Sequence, residues 1–531
     1  MSVRCIKAVS VTAVLVVACF TFGCGELGSE SREIRKLGAT IGSLVEVVSP
    51  DLVAVEGYGL VVGLRGAGSG DCPPRVRTYL KQYILKHFSE HRADVDNFIS
   101  SSDTAVVRVY GVMSTSVSES RHFDVQVAAL PGTQTTSLEG GWLYNTELKQ
   151  IGRFGLATRI LGMAEGSVFI DTIEAGVTDK RVGYALAGGT VFGEYPIGMV
   201  LRRPDFRIAN AIRNRLNGRF GPDAAKAVTA GQIELNVPAK YGKQRQRFIS
   251  MVKSMYLAET EEVTGERIET FVGKLSVSED KEASEIALEA IGNKSLSKLV
   301  ALLNSGNEEV RLRAGRCMLN LGSDVGLETL KTIAVDKDSA YRVEALEAIS
   351  TGARHNDAAA ISRLLLRDED FNIRLAAYEQ LRKLDDIALT RRPIARSFYL
   401  EQITQTQYKT IFVSRSGQSR IVLFGAPMVC RDNMFVQSAN GEITIDSRAG
   451  QKYVSLIRKH PTRPTVIGPL RCSLELGDVI QTLCDEPVRR SEKARIGLGV
   501  SYADMIALLK QMCEKGAVEA KFEAGPLPKI K

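Results

Sequence analysis

From Ser43 to Val112 short β-rich apolar runs alternate with glycine-bearing stretches. Leu52-Val53-Ala54-Val55, then Glu56-Gly57-Tyr58-Gly59, then Leu60-Val61-Val62-Gly63-Leu64 reads as strand, tight turn and strand. After the loop Arg65-Gly66-Ala67-Gly68-Ser69-Gly70-Asp71, two prolines open a helix predicted over residues 75–92, because Val76, Leu80, Ile84 and Phe88 recur at the spacing of one buried face. Residues 105–110, 123–127, 198–201 and 233–237 read as strands, and 206–220 as a helix. The first region is therefore mixed helix and sheet.

Between about Thr260 and Asp386 the pattern changes to alanine- and leucine-rich helices that repeat. Ala287-Leu288-Glu289-Ala290-Ile291-Gly292 lines up with Ala314-Gly315-Arg316-Cys317-Met318-Leu319, with Ala345-Leu346-Glu347-Ala348-Ile349-Ser350 and with Ala376-Ala377-Tyr378-Glu379-Gln380-Leu381. Ala345 stands 31 residues after Ala314 and 32 before Ala377. An apolar residue precedes an arginine at matched places in the last three units: Val310-Arg311, Tyr341-Arg342 and Ile373-Arg374. The pattern resembles short HEAT-like repeats, whose helix pairs bury an apolar face only by stacking into a solenoid; an ordinary helical bundle is the alternative. Strand-like runs return after Arg391-Arg392-Pro393, at residues 410–413, 420–424 and 442–445. A last helix runs from Tyr502 to a stop at Gly516, with a closing strand after it.

The chain has 531 residues, more than one core usually supports, and 44% hydrophobic with 24% charged residues suits folded domains rather than disorder. With 69 basic against 61 acidic residues, and no aromatic-plus-basic platform, nucleic acid is disfavoured as a partner. Arg4 and Lys7 precede an apolar run from Ala8 to Phe22, the right length for an export signal and short for a membrane span. Two cysteines there, in Val16-Val17-Ala18-Cys19 and Thr21-Phe22-Gly23-Cys24, resemble the bacterial lipoprotein processing box. Cys24 is the preferred site of lipidation, because a hydrophilic tether follows it, and Cys19 is the runner-up. Cleavage nearby without a lipid is the other reading. None of the nine cysteines forms a CxxC pair, and an oxidising compartment would permit disulfides among Cys430, Cys472, Cys484 and Cys513.

Gly57-Tyr58-Gly59-Leu60-Val61-Val62-Gly63-Leu64, followed by a loop ending at Asp71, resembles the opening motif of the flagellar P-ring protein family. Residues 107–113 and 123–127, running into Thr136-Ser137-Leu138-Glu139-Gly140-Gly141, are similar to that family's strand pair and its Ser-Leu-x-Gly-Gly turn. Arg203-Pro204-Asp205-Phe206-Arg207-Ile208-Ala209, with Asn214, Phe220-Gly221 and Ala227, resembles the family's Pro-Asp-Phe helix. Ile233-Glu234-Leu235-Asn236-Val237-Pro238 and Phe248-Ile249 follow in family order, and residues 501–520 look like its carboxy-terminal helix and strand. The family lacks the repeat region, which looks like an insertion, and residues 391–490 have no counterpart in it.

The resemblance implies an α+β core, 25–258, after a signal peptide, 1–24. HEAT-like repeats, 259–390, would interrupt the P-ring pattern, and a β-rich region, 391–531, would follow and end in the family's helix and strand. It further implies a non-enzymatic structural subunit, without cofactor, that associates head to tail with its own copies into a ring in the periplasm. That ring encircles the distal rod of the flagellar basal body and partners the rod, the outer-membrane ring and peptidoglycan. An anchored variant would sit at the outer membrane. A lipid-anchored envelope scaffold outside the flagellum is the alternative.

A third reading comes from His87-Phe88-Ser89-Glu90-His91, an HxxEH string of the kind an inverted zinc peptidase uses to set two imidazoles on one helix face. His87 and His91 would be the metal ligands. The remaining histidines, His122, His355 and His460, stand in unrelated segments, so surface residues at a helix end are the preferred reading. The loop from Gly63 to Gly70 lacks a Gly-Lys-Ser/Thr ending, and a turn needing positive backbone angles is preferred there over a phosphate cradle.

Overall fold

A computed structural model describes residues 38–48, 52–87, 95–114, 121–151, 159–173, 179–192, 197–459, 466–486 and 497–530. The strands in chain order are β1 Val45–Val48, β2 Leu52–Val62, β3 Thr104–Ser114, β4 His122–Ala129, β5 Trp142–Gln150, β6 Gly162–Ser167 and β7 Val182–Val191. Then come β8 Ile197–Leu201, β9 Ala225–Ala227, β10 Gln232–Leu235, β11 Leu389–Ile394, β12 Phe398–Ile403 and β13 Thr410–Val413. The last are β14 Arg420–Phe424, β15 Met434–Gln437, β16 Ile443–Ser447, β17 Val454–Lys459, β18 Val466–Cys472 and β19 Lys521–Ala524. The fold class is α+β, and contacts divide the chain into two compact units: residues up to 49 with 196–353, and residues 50–195 with 354–531.

The first unit is built on an antiparallel sheet of order β1-β8-β10-β9. Strand alternation turns Val45, Ile197, Met199, Leu201, Ile233 and Leu235 to one side, where they are buried under the helices Phe206–Phe220 and Arg245–Ser254 with Ile212, Leu216, Phe248 and Val252. Phe220, Tyr241 and Phe248 lock the far end of this layer in an aromatic trio, with ring centroids 5.0–5.9 Å apart. Helices Glu261–Val277, Lys281–Ile291, Leu296–Leu302, Glu308–Asn320, Leu327–Val335 and Arg342–Gly352 follow. Three of them start where a side-chain oxygen of Thr260, Asp280 or Asn307 accepts a first-turn amide. The apolar stripes of the first four of these helices meet at Ile268, Leu275, Leu288, Leu299, Ala314, Cys317 and Met318.

A cluster of buried charge joins these helices to the sheet layer. Glu285 and Glu289 on the Lys281–Ile291 helix are both wholly buried. Arg247, from the Arg245–Ser254 helix, bridges them, with Nη2 2.6 Å from Glu285 Oε1 and Nε 2.9 Å from Glu289 Oε2. From the Glu308–Asn320 helix, Arg316 grips Glu285 with two bonds of 2.7 and 2.5 Å, Arg313 reaches it at 3.2 Å, and Asn320 donates to Glu289 at 3.2 Å. Burial alone would push the Glu285 carboxyl up; the guanidiniums of Arg247 and Arg316 override it and hold the carboxyl below its ordinary value.

The second unit begins with a closed barrel of order β2-β3-β4-β7-β6-β5, completed by β5 pairing with β2. Val55, Val61, Val107, Val109, Val125, Val127, Leu143 and Leu148 are among the side chains filling it. The helices Pro74–His87 and Val95–Ser100 cover part of its outside through Tyr79, Leu80, Tyr83, Ile99, Leu60 and Val106. Under them lies a buried ion pair, Lys149 Nζ to Glu147 Oε2 at 2.7 Å, and Tyr79 donates its hydroxyl to the same carboxylate at 2.9 Å. The helix expected over 75–92 is described only to His87.

Past the barrel this unit continues with helices His355–Leu365 and Phe371–Lys383, the five-stranded sheet β11-β12-β14-β13-β19 and the antiparallel sheet β15-β16-β17-β18. Both sheets and the helices Leu476–Cys484 and Tyr502–Glu514 share one core. That core also takes in Phe169 from the barrel, whose ring lies 6.1 Å from Tyr502. Polar contacts reinforce the junction. Arg415 meets Asp171 at 2.9 Å with both side chains largely buried, and Asp124 accepts the amides of Ala187 and Gly417 at 2.7 and 2.8 Å. Cys430, Cys472, Cys484 and Cys513 are free thiols, and burial pushes Cys430 up to about 12 and Cys472 and Cys513 up to about 11.

The Glu285 cluster generates a stability prediction. Replacing the carboxylate in Glu285→Gln leaves three guanidiniums facing a neutral amide, so the unfolding transition of this unit in urea should lose roughly 3–5 kcal/mol. Because the folded carboxyl titrates below its ordinary range, its contribution is present above that range and is lost as pH falls through the depressed value. The difference between wild type and variant should therefore shrink only in acid; a difference that is constant from neutral to acid pH would contradict the assignment.

Candidate functional site

The motif residues sort by physical job. Gly57 and Gly59 were expected in a tight turn between two strands, but β2 runs unbroken from Leu52 to Val62 and pairs with β3 along its whole length. Neither glycine has a positive φ. They are there for space: a Cβ on Gly57 would stand 2.2 Å from Glu147 O, and one on Gly59 2.0 Å from Thr146 Oγ1. Those atoms belong to β5, the strand that closes the barrel against β2, and the β2–β5 register shifts between Glu56 and Val61. Tyr58, between them, packs with the Tyr79, Leu80 and Tyr83 layer outside the barrel.

Gly63, at φ +80°, does make a turn, together with Arg65 and Gly66 at φ 51° and 91°. The loop they open folds back over the start of β3: Gly68 N donates to Ser102 O at 2.9 Å, and Thr136 N to Ala67 O at the same distance. Asp71 fastens it. Its carboxylate accepts the Ser69 hydroxyl at 2.7 Å and the Gln134 amide at 3.3 Å, and those two bonds hold the carboxyl below its ordinary titration range. Gly140 supplies a positive φ of 71°, while a Cβ on Gly141 would stand 2.4 Å from Val61. Both loops therefore serve one end of the barrel.

In the other unit, Asp205 caps the Phe206–Phe220 helix, accepting the amides of Arg207 and Ile208 at 2.6 and 3.3 Å, and its own amide donates to Ala230 O at 2.9 Å. Pro204 precedes the cap in an exposed turn, and Gly221, at φ 105°, ends the helix. Phe206 is 66% exposed, more than any other phenylalanine or the tryptophan among the described residues. Asn217, rather than Asn214, does the local structural work, exchanging two hydrogen bonds with the Ala225 backbone in β9.

His87 closes the Pro74–His87 helix, but its side chain and His91 lie outside the described residues, as do Cys19 and Cys24. Among the described residues no group of three or more His, Cys, Asp or Glu side chains could hold a metal ion. The charged clusters at Glu285 and Glu147 escaped sequence reasoning, because an isolated Glu on a helix or strand reads as solvated; Tyr79 was passed over for the apolar stripe beside it.

The glycine geometry yields a direct expectation. Gly57→Ala or Gly59→Ala should each destabilise the barrel unit by roughly 1–3 kcal/mol, since the methyl meets a backbone oxygen or a strand side chain that cannot withdraw. Gly218→Ala, on an exposed helix position with open space around it, should instead be neutral or slightly stabilising. Equal effects in thermal melts would refute the seam assignment.

Comparison with known proteins finds likeness to flagellar P-ring proteins. The model of the Flagellar P-ring protein matches residues 40–268, which holds the small sheet, the barrel and its covering helices. The Flagellar P-ring protein of Thermotoga maritima is 30% identical over 213 residues, 38% of this chain and 61% of that protein. Those of Campylobacter lari and Pseudomonas paraeruginosa are 29% and 27% identical over 259 and 253 residues, covering 70% and 65% of their own lengths. The chain thus spans about three-fifths of the Thermotoga relative. Over residues 40–268 this chain is therefore similar to the flagellar P-ring protein family.

Proposed function

We propose that the chain is a structural subunit, not an enzyme, that joins copies of itself into the P ring, a periplasmic bushing around the distal rod of the flagellar basal body. One observation carries this reading: the family match extends over residues 40–268, and its motif glycines and Asp71 sit at the barrel seam and loops that shape this segment. Such residues build a rigid body rather than a reaction centre. Among the described residues no helix is long and apolar enough to cross a membrane.

In this reading the signal peptide occupies 1–24, Cys24 carries the lipid if there is one, and the P-ring core spans 25–258. Residues 259–390 form HEAT-like repeats directed toward envelope partners, peptidoglycan or the outer-membrane ring. The matched arginines support the repeat: each donates to a backbone carbonyl upstream of its own helix, Arg311 to Ser305 O at 2.8 Å, Arg342 to Ala334 O at 3.1 Å and Arg374 to Asp368 O at 2.8 Å. Residues 391–531 then complete the subunit with a family-like closing helix and strand.

A second reading, a lipid-anchored envelope scaffold outside the flagellum, is favoured by the length of chain after the family match, since the described fold continues to residue 530. Imaging separates the two. A functional fluorescent fusion should appear as discrete spots coincident with hook staining and vanish when rod assembly is blocked; a uniform envelope signal unaffected by loss of the rod would establish the scaffold instead.

A further inference from the structure

Among the described residues, the four-stranded sheet of the first unit is covered on one side only. Its buried side faces helices, as described above. The cross-strand register puts Glu46, Val200 and Gln232 in one row of the other side, and Val48, Gly198, Glu234 and Lys226 in the next. Val48 is 55% exposed and Val200 43%, and Glu46, Gln232 and Lys226 are exposed as well. Two β-branched side chains standing in water on a sheet face contribute nothing to this unit's own core.

The same unit carries an exposed element of complementary character. Between β8 and the Phe206–Phe220 helix, residues 202–207 are all exposed, and they present the Phe206 ring among Arg202, Arg203 and Arg207. Asp205, the only acid there, is already engaged with two backbone amides. Phe206 is not needed to start the helix, since Asp205 does that; a large aromatic flanked by arginines is the composition of an interface anchor. The sheet face offers the matching surface, valines for the ring and the carboxylates of Glu46 and Glu234 for the guanidiniums. Lys226 opposes this charge balance, but it stands across the strand pair from Glu234.

We propose that the open face of the β1-β8-β10-β9 sheet binds a second copy of this chain through that copy's Phe206, Arg203 and Arg207. The assignment rests on the ring reading above and deepens it by naming the residues of the subunit contact. A peptide added to the free edge of β1, or an anionic envelope polymer held by the arginines, are the competing occupants, and neither needs both charge sets.

Charge exchange in the purified full chain tests it. Arg203→Glu with Arg207→Glu should weaken self-association by on the order of 10-fold or more in sedimentation velocity, and Glu46→Arg with Glu234→Arg should do the same. Combining all four should restore association at least in part. Phe206→Ala, which leaves every charge in place, should weaken association on the order of 10-fold or more as well. Wild-type association that neither the exchanges nor Phe206→Ala changes would overturn this surface while leaving the ring reading intact. A four-site variant that stays as dissociated as its parents would also overturn it. A wild-type chain that never associates would refute both.

Discussion

A carboxylate with no access to water must be matched by positive charge in fixed positions, and Glu285 imposes that condition on the helical part of the first unit. Three guanidiniums surround it, one from the Arg245–Ser254 helix and two from the Glu308–Asn320 helix. Arg247 lies within the segment that matches the P-ring family, whereas Glu285, Arg313 and Arg316 lie beyond it. Removing either side leaves buried charge uncompensated, so the Arg245–Ser254 helix and the first helices after the family segment are obliged to fold as one body. Apolar contacts alone would tolerate a slid or rotated helix; a bidentate guanidinium–carboxylate pair does not.

The same device recurs in the second unit. Glu401, wholly buried on β12, accepts the Tyr378 hydroxyl from the Phe371–Lys383 helix and bonds from Arg391 at 2.9 Å and Arg382 at 3.3 Å. Burial would push its carboxyl up, and these hydrogen bonds and charges hold it below the ordinary value. Each end of the helical stretch is therefore tied to a neighbouring sheet layer within its own unit by a buried acid.

Much of the fold was legible in the sequence, for identifiable reasons. The Phe206–Phe220 helix carries its start and stop in Asp205 and Gly221, and the Tyr502–Glu514 helix ends just before Gly516, so local chemistry sufficed. Closure of the barrel was not legible, because pairing between β2 and β5 is a long-range event that no local pattern encodes. Gly57 and Gly59 misled for the same reason: a glycine that makes room for a distant strand looks in sequence like one that makes a turn. The buried acids were hidden more deeply. Glu289 and Glu347 occupy matched places in the repeat, Ala-Leu-Glu-Ala-Ile, yet one is wholly buried and the other exposed. What separates them is the partner each helix meets, and that is absent from the repeat itself. Phe206 was found through its motif, but its exposure is a property of the folded surface.

The most direct measurement is electron microscopy of the purified mature chain at rising concentration. The account predicts closed annuli of uniform diameter with a central hole wide enough for a rod. Monomers or open, irregular aggregates at every concentration would contradict it.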